Sequence, residues 1–258
     1  MSLHWIVQGT PYKEVGHAKL VELLRRLDVP HTDVKVVPFS HEIIPEPDCG
    51  KDVIVMGSTT LADVALARDW TPGVFTNEHF DYRSYMDHYG MHMLNHDAII
   101  CEFGNVKSPW PQFFFRPTAD SKSFPGMVVE ADNIDEWADK VRAIEQENYT
   151  TIDSKTPVVV APLKKILREY RFFIVDGKVV TGAWYKQGDH LIKETNTTDA
   201  DDFAQRMVDV WSPAEAFVLD IALTSTGFRV LEVNCFNCSG YYASDVEKLF
   251  HAVEKKWG

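Results

Sequence analysis

With 258 residues, 45% hydrophobic and 25% charged, the chain has the composition of an ordinary globular protein with room for one large core or two modest domains, which excludes a disordered chain. Its 38 acidic against 26 basic side chains leave a formal net charge of −12, so strong nonspecific binding to the phosphates of DNA or RNA is not expected, although a local basic cleft remains open. The opening MSLHWIVQGTPYK carries neither a basic leader nor a long apolar core, and no run approaches the roughly 18 apolar residues that span a bilayer, so a soluble, cytoplasmic protein without a membrane partner is expected.

The first hundred residues alternate strand-like and helix-like patterns: HWIVQG, the amphipathic HAKLVELLRRL, DVKVVPF, then DVIVMG followed by STTLADVALARD. Short apolar runs that end in Gly and lead into Ser or Thr caps predict βα units in a small parallel sheet, a Rossmann-like N-terminal domain over residues 1–100. The turn Met56-Gly57-Ser58-Thr59-Thr60 lacks a full glycine-rich phosphate fingerprint and reads as a helix cap or, alternatively, as an anion contact. A boundary is expected between Asn95 and Pro111, where the chain enters a proline-bracketed loop.

Residues 101–258 change character. QFFFRP, GMVVEA and PVVVAP read as strands, IDEWADKVRAIEQE and DADDFAQRMVDVW as helices, and a last helix runs from Ser244 to Trp257. Hairpins separated by helices indicate an α+β domain with antiparallel sheet, so the chain as a whole reads as α/β followed by α+β. The four cysteines, Cys49, Cys101, Cys235 and Cys238, are too scattered for a disulfide framework, and the single CxxC lacks a second ligand pair, which favours ordinary thiols over a zinc site.

Several segments carry chemistry. In FFFRPTADSKSFPG, Arg116 ends a strand and Lys122 follows in the loop, a fork and a point charge suited to a polyphosphate, or else two surface cations. In PVVVAPLKKI a strand bounded by Pro157 and Pro162 offers backbone groups that can read adenine, although an interior strand explains the same valines. EYRFFIVDGKVVTGAWY contains Asp176-Gly177, a signal for a two-residue turn that sets Val175 opposite Lys178 and Arg171 opposite Gly182. Glu169 and Arg171 then share a face, with Gly182 leaving ligand space, the alternative being a mutual ion pair.

The run FVLDIALTSTGFRVLEVNCFNCSGYY predicts strands Phe217 to Thr224 and Phe228 to Asn234 joined by a three-residue loop with Gly227 left-handed. That register sets Asp220 opposite Glu232 and brings Asn234 to the same face, with Leu219, Ile221, Leu231 and Val233 on the other. Two carboxylates and an amide oxygen suit a hard cation such as Mg²⁺, the alternative being a solvated polar face. Ser239, Gly240, Tyr241 and Tyr242 follow directly and are candidates to touch substrate, with core or rim packing the alternative for the two tyrosines.

On RPTADSKSF, EYRFFIVDGKVVTGAWY and VLDIALTSTGFRVLEVNCFNCSGYYASD, in that order, the chain resembles the ATP-grasp superfamily, in its divergent phage and bacterial clade related to a eukaryotic assembly factor for a translation initiation complex. The resemblance implies ATP and Mg²⁺ as cofactors, with Arg116 and Lys122 on the phosphates and the strand bearing Val159, Val160 and Ala161 holding adenine. By the same resemblance Glu169 and Arg171 line the ATP cleft, and Asp220, Glu232 and Asn234 hold one or two Mg²⁺ ions. Arg116, Lys122 and Arg171 become the catalytic cations of a ligase that joins a carboxylate to an amine or thiol through an acyl-phosphate, on a peptide, protein or small molecule. A phage-encoded member would work in the host cytoplasm. The stretch SKSFPG departs from the family's glycine-rich lid in having only Gly126. ATP binding in an assembly protein without ligase turnover, and modification of a nucleic acid or nucleotide, stand as alternatives.

Overall fold

Strands that are apolar on both faces form a parallel sheet wherever helices can cover them, and the N-terminal segments do so. The computed structural model describes residues 3–9, 15–37, 40–75, 80–119, 124–145 and 152–258. Within them, β1 (His4–Gln8), α1 (Val15–Arg26), β2 (His31–Val36), β3 (Ile43–Ile44), β4 (Asp52–Met56), α2 (Thr59–Ala67) and β5 (Thr71–Gly73) build a five-stranded sheet in the order β3-β2-β1-β4-β5. Its strands are parallel except β3, which runs against β2. One face buries Ile6, Val53 and Val55 against Leu61, Val64 and Ala65 of α2.

The chain divides into two compact units, Met1–Asn77 with Ile166–Gly258 and Glu78–Lys165. The second unit contains α3 (Tyr82–Tyr89), β6 (Ile99–Glu102), β7 (Gln112–Pro117), β8 (Met127–Glu130), α4 (Ala131–Glu145) and β9 (Pro157–Pro162). Its sheet, ordered β6-β9-β7-β8, is antiparallel throughout. Phe113, Phe115, Val158 and Val160 pack there against Ile134, Ala138 and Val141 of α4.

The first unit resumes with β10 (Arg168–Val175), β11 (Lys178–Gln187), β12 (His190–Glu194), α5 (Asp201–Val210), β13 (Ala216–Thr224), β14 (Gly227–Cys235) and α6 (Val246–Trp257). These strands form an antiparallel sheet ordered β12-β11-β10-β13-β14. A single core joins Trp5, Val7, Ile54 and Met56 of the parallel sheet, Leu20 and Leu24 of α1, Leu249 and Val253 of α6, and Phe173, Val175 and Val218 of the antiparallel sheet. The expected α/β start followed by antiparallel sheets is therefore the observed fold, and among the described residues no helix is long and apolar enough to cross a membrane.

Two hairpins differ from their expected registers. The Asp176-Gly177 turn forms, with both residues at positive φ (51° and 69°) and Val175 opposite Lys178. An irregularity between Phe173 and Ile174 then shifts the ladder, so Arg171 opposes Ala183 and Gly182 falls opposite Phe172. A Cβ on Gly182 would sit 2.5 Å from the Phe172 ring, so this glycine makes room for an aromatic neighbour and not for a ligand.

In the second hairpin the loop has two residues, Ser225 and Thr226, and Gly227 pairs with Thr224. The Thr224 hydroxyl closes this tighter turn, accepting from the Thr226 amide (3.2 Å) and donating to the Gly227 carbonyl (2.8 Å). Such a loop by itself would set Asp220 opposite Leu231. The ladder instead passes from Ile221–Val230 to Asp220–Glu232, so Leu231 is the extra residue of a bulge and the register at the acids is the one expected from a longer loop.

Candidate functional site

Side chains alternate along β10 and β13, so Arg171 and Asp220 lie on the same face as core-facing Phe173 and Val218, two positions along each strand, and are direct neighbours across the ladder. Arg171 grips Asp220 with both arms of its guanidinium, Nε to Oδ1 at 2.8 Å and Nη2 to Oδ2 at 2.7 Å. Asp220 is 0% exposed, and the Arg171 side chain only 11%. From β14, the Asn234 amide nitrogen donates to Asp220 Oδ2 and to Glu232 Oε1, each at 3.2 Å. Asp220, Glu232 and Asn234 thus do converge, with Arg171 as a fourth member that sequence alignment of the strands did not assign to this acid.

Around Arg171 lies an aromatic wall. The rings of Tyr185 and Tyr242 stack at 4.5 Å with 7° between their planes, and the guanidinium carbon lies 5.7 and 5.1 Å from their centroids. Tyr242 holds φ at +52°, an uncommon backbone for an aromatic residue. Arg171 Nη1 also reaches the Gly240 carbonyl at 3.4 Å. Glu169 does not form the mutual pair with Arg171: Tyr185 Oη donates to its Oε2 (2.8 Å), and Lys186 Nζ lies 2.7 Å from its Oε1. Tyr185 ends the stretch EYRFFIVDGKVVTGAWY and alternates with Ala183, the signal that could have flagged it, whereas Lys186, the next residue, pairs with Glu169 across the ladder.

Burial raises the Asp220 carboxyl to about 6, with Arg171 pulling it down and Glu232 and Glu169 adding to the rise. Burial opposes charge on Arg171, but the Asp220 carboxylate outweighs it and holds the guanidinium pKa above its ordinary value. Burial also lifts the Tyr185 phenol, helped by Asp220 and Glu169, which keeps its proton available to Glu169.

The loop beyond β14 separates into packing and site residues. Tyr241 is buried in the core, stacked on Phe173 at 5.8 Å, and its Cβ lies 2.5 Å from where a Cβ on Gly16 of α1 would be, so its ring packs instead of facing a ligand. Ser239 Oγ donates to the Cys235 carbonyl at 2.7 Å, whereas Gly240 and Tyr242 touch Arg171. All four cysteines are free thiols, and Cys235 and Cys238 pack beside the parallel-sheet core.

Asn237, which the sequence did not single out, ties this loop down. Its Oδ1 accepts from Phe75 N (2.8 Å), its Nδ2 donates to the carbonyls of Val55 (2.7 Å) and Gly73 (3.3 Å), and its own carbonyl accepts from Gly57 N (2.9 Å). With Ser58 N donating to Gln8 Oε1 and Ser58 Oγ capping Leu61 N, the Met56–Thr60 turn is a helix cap whose first amides are already used. Asn237→Ala leaves buried backbone groups without partners, each costing about 1–3 kcal/mol. Urea denaturation is expected to show a loss of more than about 2 kcal/mol, and a loss under about 0.5 kcal/mol would contradict this bracket.

In the second unit, β9 is an interior strand, paired with β6 through Val160 and with β7 through Pro162. Val159 and Val160 have ladder partners on both sides, whereas the β6 ladder stops at Val160 and Ala161 pairs with Phe114 of β7. Arg116 is the penultimate residue of β7 and half-buried, its Nε donating to the Pro117 carbonyl at 3.1 Å and its guanidinium 5.7 Å from the Tyr82 ring. Lys122 lies outside the described residues. Among the described residues no group of three or more His, Cys, Asp or Glu forms a metal cluster.

A family model described as an ATP-grasp domain, family 3 of its clade, matches residues 73–253. Among curated proteins no sequence matches the chain. Similar solved structures include D-cycloserine synthetase DcsG, with a TM-score of 0.63 and 10% identity over 99% of this chain and 100% of that one. Another is the D-alanine–D-alanine ligase of Bacillus anthracis, at a TM-score of 0.61 and 13% identity over 99% and 92%. The ATP-grasp ligase PsnB, complexed with a minimal precursor, matches at a TM-score of 0.54 and 14% identity over 98% of each chain. At these identities the likeness is one of fold.

Proposed function

The chain belongs to the ATP-grasp domain family whose model spans most of its length, and from that premise we propose that it is an ATP-dependent ligase joining a carboxylate to an amine or thiol. The observation that carries this reading is the convergence of Asp220, Glu232 and Asn234 beside Arg171 on one sheet face. Their donor set fits a hard divalent cation such as the Mg²⁺ of a nucleotide: two carboxylates, and an amide whose nitrogen here bonds both acids and whose oxygen would face a cation after the amide turns over. When bound, Mg²⁺ would neutralise phosphate charge and orient the transferring group.

The chain's own residues would do the rest. Arg116 and Lys122 would hold phosphate oxygens, while Ala161, beyond the end of the β6 ladder, would present the strand edge that receives adenine, and Val159 and Val160, paired on both sides, the apolar strand that leads to it. Glu169, fixed by Tyr185 and Lys186, and Arg171 would line the phosphate side. The substrate carboxylate oxygen attacks the γ-phosphorus as the bond to ADP breaks. The amine or thiol then attacks the acyl carbon and gives up its proton to solvent or the departing phosphate, which leaves with the bonding pair. Alignment of the carboxylate and charge neutralisation supply the rate. Gly240 and Tyr242, and Ser239 beside them, are the candidates nearest the carboxylate. Residues 1–100 would supply the preceding region and 101–258 the nucleotide-binding and catalytic residues, a division of roles along the sequence that does not follow the two compact units.

Phosphate release measured with ATP and Mg²⁺ tests the reaction. Release is expected only when a carboxylate and an amine are both present, and a peptide is the first acceptor to supply, since a structure of PsnB holds it in complex with a precursor peptide. Nucleotide binding with no release under any pairing would favour a binding or assembly role. By calorimetry, ATP binding should require divalent metal because the acids must be neutralised first, and equal affinity in EDTA would sink that claim.

The phosphate cations give a separate expected result. Arg116→Ala and Lys122→Ala should each weaken ATP by about 1.5–3 kcal/mol, one to two decades, while adenosine binding changes little. A variant that loses thermal stability as severely as ATP affinity would mark its residue as structural.

A further inference from the structure

Both oxygens of Asp220 are already committed: Oδ1 to Arg171 Nε, and Oδ2 to Arg171 Nη2 and Asn234 Nδ2. A carboxylate that accepts a bidentate fork has one lone pair of each oxygen pointed at the guanidinium, and Asn234 takes a second on Oδ2, so until the fork opens a cation could reach only the remaining lone pair of Oδ1, beside a fixed positive charge. Opening it would ordinarily strand a buried charge, which is costly. Here Arg171 has other partners in place. The Gly240 carbonyl lies at 3.4 Å, and the faces of Tyr242 and Tyr185 lie 5.1 and 5.7 Å from its charged carbon. The two rings are stacked on one another, and Tyr185 is pinned through its hydroxyl to Glu169.

We propose that Arg171 is a resident counterion that occupies the cation's place at Asp220 and surrenders it on metal loading, with the Tyr185–Tyr242 pair and the Gly240 carbonyl as the berth that keeps the released guanidinium in the site. The inference rests on the metal site of the proposed function and adds how that site is regulated. A cation arriving alone must compete with Arg171. An anionic polyphosphate that accepts the freed guanidinium removes that competition, so metal and polyphosphate bind cooperatively.

The test uses the full chain labelled with ¹⁵N-arginine. In the metal-free protein the Arg171 Nε–H, buried against Asp220, should give a resonance protected from solvent exchange, assigned by its disappearance in Arg171→Lys. Saturation with Mg²⁺, followed by calorimetry, should shift that resonance and remove its protection. Arg171→Met and Arg171→Lys are compared by Mn²⁺ affinity without nucleotide. Arg171→Met should bind about one to two decades more tightly than the native protein, and Arg171→Lys, which keeps the charge but not the fork, should fall between. If Mg²⁺ saturates the protein while the Nε–H stays protected, or if neither variant binds Mn²⁺ more tightly than the native chain, the counterion role is overturned. Glu232→Gln separates this from failure of the metal site itself. Undiminished Mn²⁺ binding in that variant would locate the cation elsewhere and remove the premise.

Discussion

Asp220→Ala is expected to destabilise the protein by about 3–5 kcal/mol, the largest effect of any single change at the site, because it leaves the Arg171 charge buried without its carboxylate. Arg171 also loses the partner that sets its orientation, while the aromatic faces of Tyr185 and Tyr242 are weaker compensation. The double variant Arg171→Met with Asp220→Leu removes both charges and should recover most of the loss, since a buried ion pair replaced by apolar groups of similar volume is often neutral. Urea denaturation of the two single variants and the double closes the cycle. A loss below about 1 kcal/mol for Asp220→Ala would mean that water reaches the pair and that the buried-pair description is wrong.

Glu232→Gln should behave in the opposite way. Glu232 is half-buried, lies opposite Asp220 in the ladder, and accepts from Asn234, so an isosteric amide keeps the shape of the hairpin and removes one of two adjacent negative charges. Stability is expected to stay within about 0.5 kcal/mol of the native value or to rise slightly. Metal-dependent turnover is expected to fall by more than about a hundredfold, because a cation that supplies several kcal/mol of charge stabilisation loses a ligand. Retained turnover would falsify the assignment of Glu232 as a ligand. The contrast between the two acids is itself the measurement: one is a structural counterion as well as a candidate ligand, the other is a candidate ligand on a partly open face.

Hydrophobic period and turn chemistry were sufficient for most of the elements, because those signals are local. The continuous apolar runs of β1 and β4, the cap before α2, and the Asp176-Gly177 turn all formed where the sequence indicates. Short elements such as β3, β5 and β12 were not legible, since two to five residues carry too little pattern to stand out from loops. The four residues of β6, inside the stretch expected to be a boundary loop, are held there by pairing with β9, a partner more than fifty positions further along the chain.

Sequence by itself determined that Glu232 and Asn234 share a face, since side chains alternate along a strand, whereas the place of Asp220 opposite Glu232 was expected from a three-residue loop that does not form. It also determined the order of parallel and antiparallel sheet and the family to which the chain belongs. Tertiary structure alone decided how that register is reached, through a two-residue turn and a bulge at Leu231 whose errors of one residue cancel. It decided that Gly182 serves Phe172, that Tyr241 is core, and that Asn237 anchors the loop behind the site. Above all it decided that Arg171 pairs with Asp220 and not with Glu169. Cross-strand position within β10, β13 and β11 is a relation among segments far apart in the chain, and which carboxylate a buried guanidinium takes depends on that packing and on the desolvation it imposes.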